Sequence, residues 1–192
     1  MKNKKIKFTF HPSAAVFFLL ILISSARLGA ITLISALLHE LGHIAAAKLT
    51  SAEIERITVY PFGADMRIRG GSSYLTDIII ALSGPLVNLL FFVIAVRLPL
   101  STPAALCNLV LCAVNLLPVK GLDGGVILRS LLRLVFPVGT ADILTHVSTV
   151  SVLFISWLFS VYLLFCESCE PSLFIIVCFL FFSVVRDQTS RS

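Results

Sequence analysis

Charge is scarce in this chain. Of 192 residues only 13% are Asp, Glu, Lys or Arg, whereas 58% are hydrophobic. A soluble domain of this length needs far more charge to cover its surface, so a water-facing globule is excluded. The basic residues do not gather on one amphipathic face but fall between apolar runs, so the net charge of +5 is not a nucleic-acid footprint. No internal repeat and no low-complexity block interrupts the chain. Cysteine is sparse and odd in number (Cys107, Cys112, Cys166, Cys169, Cys178). Cys166 and Cys169 form a lone C-x-x-C with no second pair for zinc and no thioredoxin-like setting, so these residues read as small apolar fillers plus one loop pair. Histidine is limited to His11, His39, His43 and His146.

What remains is apolar material in long runs. Its amount suits a single domain over 1–192 with about six spans of roughly 20 residues each. The runs predict spans at 8–26, 28–49, 78–98, 104–117 (a short one), 143–165 and 173–185. Between the second and third, Ile57, Val59, Met66 and Ile68 alternate with Thr58, Tyr60, Arg67 and Arg69 around Pro61-Phe62-Gly63-Ala64-Asp65. Period-two alternation about a Pro/Gly turn predicts a β-hairpin. The expected fold is therefore an all-α polytopic membrane protein carrying a small membrane-associated β-hairpin or sheet.

Lys2, Lys4, Lys5 and Lys7 ahead of an apolar run resemble a signal peptide, and Ser24-Ser25-Ala26 offers small residues for cleavage. A retained first span is preferred because of where the charges fall. With a cytoplasmic N-terminus and six spans, every one of the 15 Lys and Arg residues except Arg27 and Arg97 lies on the inside, and the acidic pair Glu167 and Glu170 lies outside. That distribution satisfies the positive-inside rule and places both termini in the cytoplasm.

Within the second run stands Leu37-Leu38-His39-Glu40-Leu41-Gly42-His43-Ile44. Residues four apart share a helix face, so His39 and His43 can grip one metal ion with Glu40 beside it, the arrangement of H-E-x-x-H zinc proteases. A carboxylate at bilayer depth costs about 2.5–3.5 kcal/mol on insertion scales, which few chains accept without use. A catalytic zinc takes three protein ligands and leaves a fourth position for water. The third ligand has to come from Asp65, Asp77, Asp123, Asp142, His11 or His146. Asp123 stands out among these, because Leu122-Asp123-Gly124-Gly125 follows an Asn and a Pro, and two glycines permit an unusual turn. Irregular backbone at membrane depth is tolerated only around a protein-lined cavity. Asp123 could equally serve as the N-cap of the following helix, and the two roles are compatible.

His39-Glu40-Leu41-Gly42-His43, together with Asn115-Leu116-Leu117-Pro118 and Leu122-Asp123-Gly124-Gly125, closely resembles the site-2 protease family of intramembrane zinc metalloproteases. The branch it most resembles is that of the bacterial stage IV sporulation protein FB. Phe10-His11-Pro12, Pro61-Phe62-Gly63, Ser83-Gly84-Pro85 with Asn88, and the six-span plan agree with this. The resemblance implies one zinc per chain on His39, His43 and Asp123, with Glu40 as catalytic base. It implies that Asn88 and Asn115 hold substrate backbone or the developing oxyanion, each with an interhelical hydrogen bond as the alternative, and that Pro118 and Gly63 line the substrate site. It also implies a membrane-associated protein substrate such as the pro-form of sporulation sigma factor K, inhibitory membrane partners, and a place in a bacterial inner membrane or the membrane around the forespore. Two departures stand out. Gly121 occupies a position where the family often has Pro, which is expected to loosen the loop that sets Asp123. No C-terminal nucleotide-binding domain of the CBS type is expected.

The competing class is a zinc-binding membrane scaffold or transporter. A transporter is expected to show repeat symmetry and several intramembrane carboxylates, and a silent scaffold to have lost Glu40 or Asp123; none of these holds.

Overall fold

The computed structural model describes residues 7–10, 26–52, 54–60, 63–68, 73–98, 102–165 and 178. The chain divides into two compact units, Met1–Leu116 and Leu117–Ser192. The first holds strand β1 (Lys7–Phe10), helix α1 (Ala26–Leu49), strands β2 (Ile54–Tyr60) and β3 (Gly63–Ile68), and helices α2 (Tyr74–Arg97) and α3 (Thr102–Asn115). The second holds α4 (Asp123–Val135) and α5 (Val138–Phe165).

Among the described residues, α1, α2 and α5 are long and apolar enough to cross a membrane, at 24, 24 and 28 residues. A 24-residue helix reaches roughly 36 Å at 1.5 Å per residue, more than the roughly 30 Å hydrocarbon core. The expected span at 104–117 is instead the 14-residue helix α3, which at the same rise covers only roughly 21 Å. It stops at Asn115 because Pro118 disfavours helical backbone just before it. The expected first span at 8–26 needs correcting at its start. Lys7-Phe8-Thr9-Phe10 alternates aromatic and polar residues and forms β1. The remainder of that span, and the expected span at 173–185 apart from residue 178, lie outside the described residues, as does the Cys166–Cys169 pair.

The sheet has the order β1-β2-β3. β1 runs parallel to β2 with Phe8 opposite Ile57, a pairing that alternation around the turn could not reveal because β1 lies on the far side of α1. β2 and β3 pair antiparallel, with Ile57 opposite Met66 and Tyr60 opposite Gly63.

The helices of the first unit are packed with small residues inside and large ones outside. α1 buries Gly29, Ser35, His39, Gly42, His43, Ala46 and Ala47, while Leu37 and Leu41 are more than half exposed. α2 buries Ala81, Gly84, Pro85, Asn88 and Ala95 among others. Lipid tails are as apolar as leucine, so helices gain nothing by hiding leucines from them; small residues let backbones approach and polar groups bond across. A Cβ on Gly42 would stand 2.9 Å from the Ser83 carbonyl oxygen and from Val87 Cγ2, so α1 and α2 approach closely here. α1 ends in a left-handed turn: Ser51 has φ 56°, and the Ala52 and Ser51 amides donate to the carbonyls of Ala47 and Lys48, the bonding of a Schellman motif. α2 begins at an N-cap, Ser73, whose hydroxyl accepts from the Thr76 amide at 3.1 Å.

In the second unit α4 packs on α5. Arg129 grips the Asp142 carboxylate with two nitrogens, at 2.8 and 3.2 Å, and Arg133 adds its own Nη2 at 2.9 Å. The segment ahead of α4 is pinned to α5: the Lys120 amide donates to Thr149 Oγ1 at 3.0 Å and Ser148 Oγ donates to the Pro118 carbonyl at 3.3 Å. Val119 between them is 1% exposed. A Cβ on Gly125 would run into the Val119 carbonyl, so α4 can start here only with glycine at its third residue. Gly121 sits at φ +99°, a left-handed value that proline, fixed near −65°, cannot reach. The departure from the family pattern is thus matched by a different turn, and the loop is anchored on both sides of it. Gly121→Pro should therefore destabilise the second unit by more than the roughly 1 kcal/mol typical of a tolerable Gly or Pro exchange, read as a lower thermal unfolding midpoint in detergent.

Candidate metal centre

The two histidines sit one turn apart on α1 and face α2. Both are buried, at 5% and 7% exposure. Their rings meet edge to face with centroids 4.7 Å apart, and the two Nε2 atoms lie 3.1 Å from each other. Two ligands on one tetrahedral zinc, each at about 2.0–2.1 Å, would be separated by roughly 3.3 Å. The pair already has the spacing of a chelate, and in that sense the donor set fits zinc.

α2 sets this geometry from behind. His43 Nδ1 lies 2.7 Å from the Ile80 carbonyl oxygen. A carbonyl only accepts, so Nδ1 carries the proton and Nε2 is left with its lone pair, as a metal ligand requires. Ser83 Oγ donates to the same carbonyl at 2.6 Å. Pro85, inside α2, has no N–H to give the Ala81 carbonyl one turn back. One turn on, Asn88 Nδ2 donates to His39 Nδ1 at 3.1 Å. His43 thus answers to Ile80 and His39 to Asn88, and α1 and α2 run antiparallel. Between these contacts lies Gly84: a Cβ there would overlap His43 Nε2 and stand 2.8 Å from His39 Cε1.

The other residues singled out from sequence are placed as follows. Glu40 is half-buried on α1 immediately after His39. Asp123 is the first residue of α4, also half-buried, and the N-cap position belongs to Leu122, which makes no side-chain cap. Of the three expected ligands, His39 and His43 lie together in the first unit and Asp123 belongs to the second. Among the rival third ligands, Asp142 is committed to Arg129 and Arg133; His11 and the side chain of Asp65 lie outside the described residues. Asn115 closes α3 and its amide donates to the Leu111 carbonyl at 3.0 Å, one turn back on its own helix. Pro118 lies in the anchored segment before α4, and Gly63 opens β3 opposite Tyr60. Sequence reasoning assigned no role to Ile80 or Gly84. A carbonyl leaves no sequence signal, but a glycine beside a proline inside an apolar span is one.

The chain matches the model of peptidase family M50 over residues 28–103 and 98–157. It is 34% identical over 110 residues to a zinc metalloprotease of Methanocaldococcus jannaschii, a stretch that makes up 52% of this chain. That stretch is 32% of the other protein, so the chain spans about a third of the curated relative. Among solved structures it is similar to a site-2 protease from Methanocaldococcus jannaschii, with a TM-score of 0.70 and 25% identity, covering 95% of this chain and 90% of that one.

The position of Gly84 against both rings gives a direct prediction. Gly84→Ala should displace the imidazoles and weaken zinc binding by on the order of tenfold or more, measured by competition with a chromophoric chelator, while far-ultraviolet circular dichroism stays that of the parent.

Proposed function

Because this chain belongs to peptidase family M50, we propose that it is an intramembrane zinc metalloprotease that hydrolyses peptide bonds of membrane-associated proteins. Its metal ligands are His39, His43 and Asp123, and its general base is Glu40. The observation that carries this reading is the imidazole pair: two buried Nε2 atoms 3.1 Å apart on a helix long and apolar enough to cross a membrane. The 3.1 Å separation is close to that of two ligands on one zinc, so little movement would bring both rings onto a shared ion.

When bound, zinc lowers the pKa of a water toward about 7 and polarises a carbonyl. The protein's own groups do the rest. Glu40 takes the proton of the attacking water and passes it to the leaving amine, work that contributes about 10²–10⁴-fold in rate. Ile80 and Ser83 hold the His43 ring by its outer nitrogen. Asn115 at the end of α3, with Pro118 and Gly63, is assigned to the substrate backbone; the interruption of α3 at Asn115 supports this, because it leaves backbone beyond the last helical turn. A helical substrate hides its peptide bonds and has to become extended before cleavage. The order β1-β2-β3 leaves β3 at one edge of the sheet, where an extended segment could add as a further strand. The cytoplasmic termini follow from the distribution of Lys and Arg.

The finer placement rests on sequence resemblance. Phe10-His11-Pro12, Ser83-Gly84-Pro85 and Leu122-Asp123-Gly124-Gly125 support the branch of stage IV sporulation protein FB. In that branch the substrate would be a sporulation sigma-factor precursor and the regulators inhibitory membrane proteins.

Co-expression with candidate membrane precursors, parent against Glu40→Gln, tests the activity. Glu40→Gln should lose cleavage by at least about 10²-fold yet retain its zinc; undiminished cleavage would contradict the base assignment. Proline introduced in β3 should slow cleavage of the same precursor without lowering the unfolding midpoint, whereas unchanged kinetics would contradict strand addition.

A further inference from the structure

Asn88 is the polar side chain on α2 whose role is not explained by packing. It is 0% exposed. Its Nδ2 lies 3.1 Å from His39 Nδ1, and its Oδ1 is buried with no hydrogen-bond partner among the described residues. An unsatisfied buried acceptor costs about 1–3 kcal/mol, a cost that turning Oδ1 toward a ring N–H would remove.

The protonation logic of the two rings shows what the use is. His43 is fixed: its Nδ1–H donates to a carbonyl, so its Nε2 holds a lone pair. His39 is not fixed, because a carboxamide can offer either a donor or an acceptor. With Nδ2 toward the ring, His39 Nδ1 must accept. The His39 proton then sits on Nε2 and points at His43 Nε2, 3.1 Å away. That arrangement closes the pair on itself and leaves no lone pair on His39 Nε2 for a metal. A half-turn of the carboxamide brings Oδ1 to the same ring nitrogen. Nδ1 then donates to it, the proton leaves Nε2, and both Nε2 lone pairs converge. No partner of Oδ1 holds the amide in the first orientation, so the choice between the two falls to His39 and to whatever its Nε2 faces.

We propose that Asn88 is a positioning residue for His39: its carboxamide, by turning, selects between a self-bonded imidazole pair and the Nδ1–H tautomer that can bind metal. This deepens the metalloprotease reading and rests on it. It gives Asn88 a different task from contacting substrate, since the amide is spent on the histidine. Partners of this kind on the outer nitrogen of a ligand histidine typically change metal affinity by about 10–100-fold when removed.

The test uses the full chain in detergent, zinc as the probe, and three proteins: the parent, Asn88→Asp and Asn88→Leu. Asp offers only acceptor oxygens; Leu has similar bulk and offers nothing. Zinc affinity by chelator competition should fall about 10–100-fold in Asn88→Leu and should be at or above the parent value in Asn88→Asp. Nuclear magnetic resonance of ¹⁵N-histidine-labelled protein supplies a readout that a merely structural role would not move. His39 should carry its proton on Nε2 in the metal-free parent, on Nδ1 in the zinc-loaded parent, and on Nδ1 with or without zinc in Asn88→Asp. Parent-like affinity in folded Asn88→Leu would overturn the proposal, as would Asn88→Asp binding as weakly as Asn88→Leu, or a His39 tautomer indifferent to Asn88→Asp. Should Asn88→Leu fail to fold, the tautomers of the parent and Asn88→Asp decide alone. A parent that takes up no zinc would remove the metal reading, while the metal-free tautomer of Asn88→Asp would still show whether residue 88 governs His39.

Discussion

Holding two imidazoles edge to face inside a membrane, with the same nitrogen of each directed at a common point, is the constraint from which the rest of the first unit follows. Each ring has two nitrogens, and a ligand can spare only one. The other must be bonded to something that fixes both tautomer and ring angle. α1 cannot supply those partners, since its own polar backbone is used in helical bonds. They come from α2, and they have to come from close range. That is why the two helices meet at glycines, Gly42 on one side and Gly84 on the other. The turn of α2 behind the rings also supplies the Ile80 carbonyl, which His43 shares with Ser83. The site is made by what α2 omits, side-chain bulk at Gly84, as much as by what α1 presents.

The same close approach explains the inverted burial of the helices. In water, an interface lined by Gly, Ala and Ser would be too weak to hold two helices. In lipid the large side chains have no reason to turn inward, and close backbone contact with a few interhelical hydrogen bonds is what remains. Asn108, which donates to Ser35 Oγ at 3.0 Å, extends this pattern from α3 to α1, one turn before His39. Polar side chains along α1 therefore form a continuous seam from Thr32, which accepts from Cys107, through Ser35 to His39 and His43. In the second unit different means serve a similar end: Thr149 and Ser148 of α5 hold the segment that leads into Asp123.

Much of this could be read from residue order, and the failures have physical causes. The H-E-x-x-H pair was legible because α-helical periodicity alone brings i and i+4 together, and three of the apolar runs were legible because their length exceeds what a soluble helix needs. β1 was not, because Phe8 and Phe10 are apolar enough to be absorbed into the run that follows, and a parallel partner far along the chain leaves no local signature. The run at 104–117 was legible as short and ending before Pro118, and α3 lies two residues earlier at each end. Gly121 looked like a loss when compared with a family pattern, whereas its positive φ shows a turn that requires it. Ile80 was beyond reach altogether, since a backbone carbonyl that fixes a histidine has no residue type.

The central claim is that His39 and His43 bind one zinc ion through Nε2 at membrane depth. X-ray absorption spectroscopy at the zinc edge, on protein purified in detergent without chelators, tests it most directly. The account predicts about one zinc per chain, four-coordinate, with only nitrogen and oxygen neighbours at about 2.0–2.2 Å and the outer-shell scattering of two imidazoles. Protein free of stoichiometric zinc, or a spectrum dominated by sulfur near 2.3 Å, would contradict it.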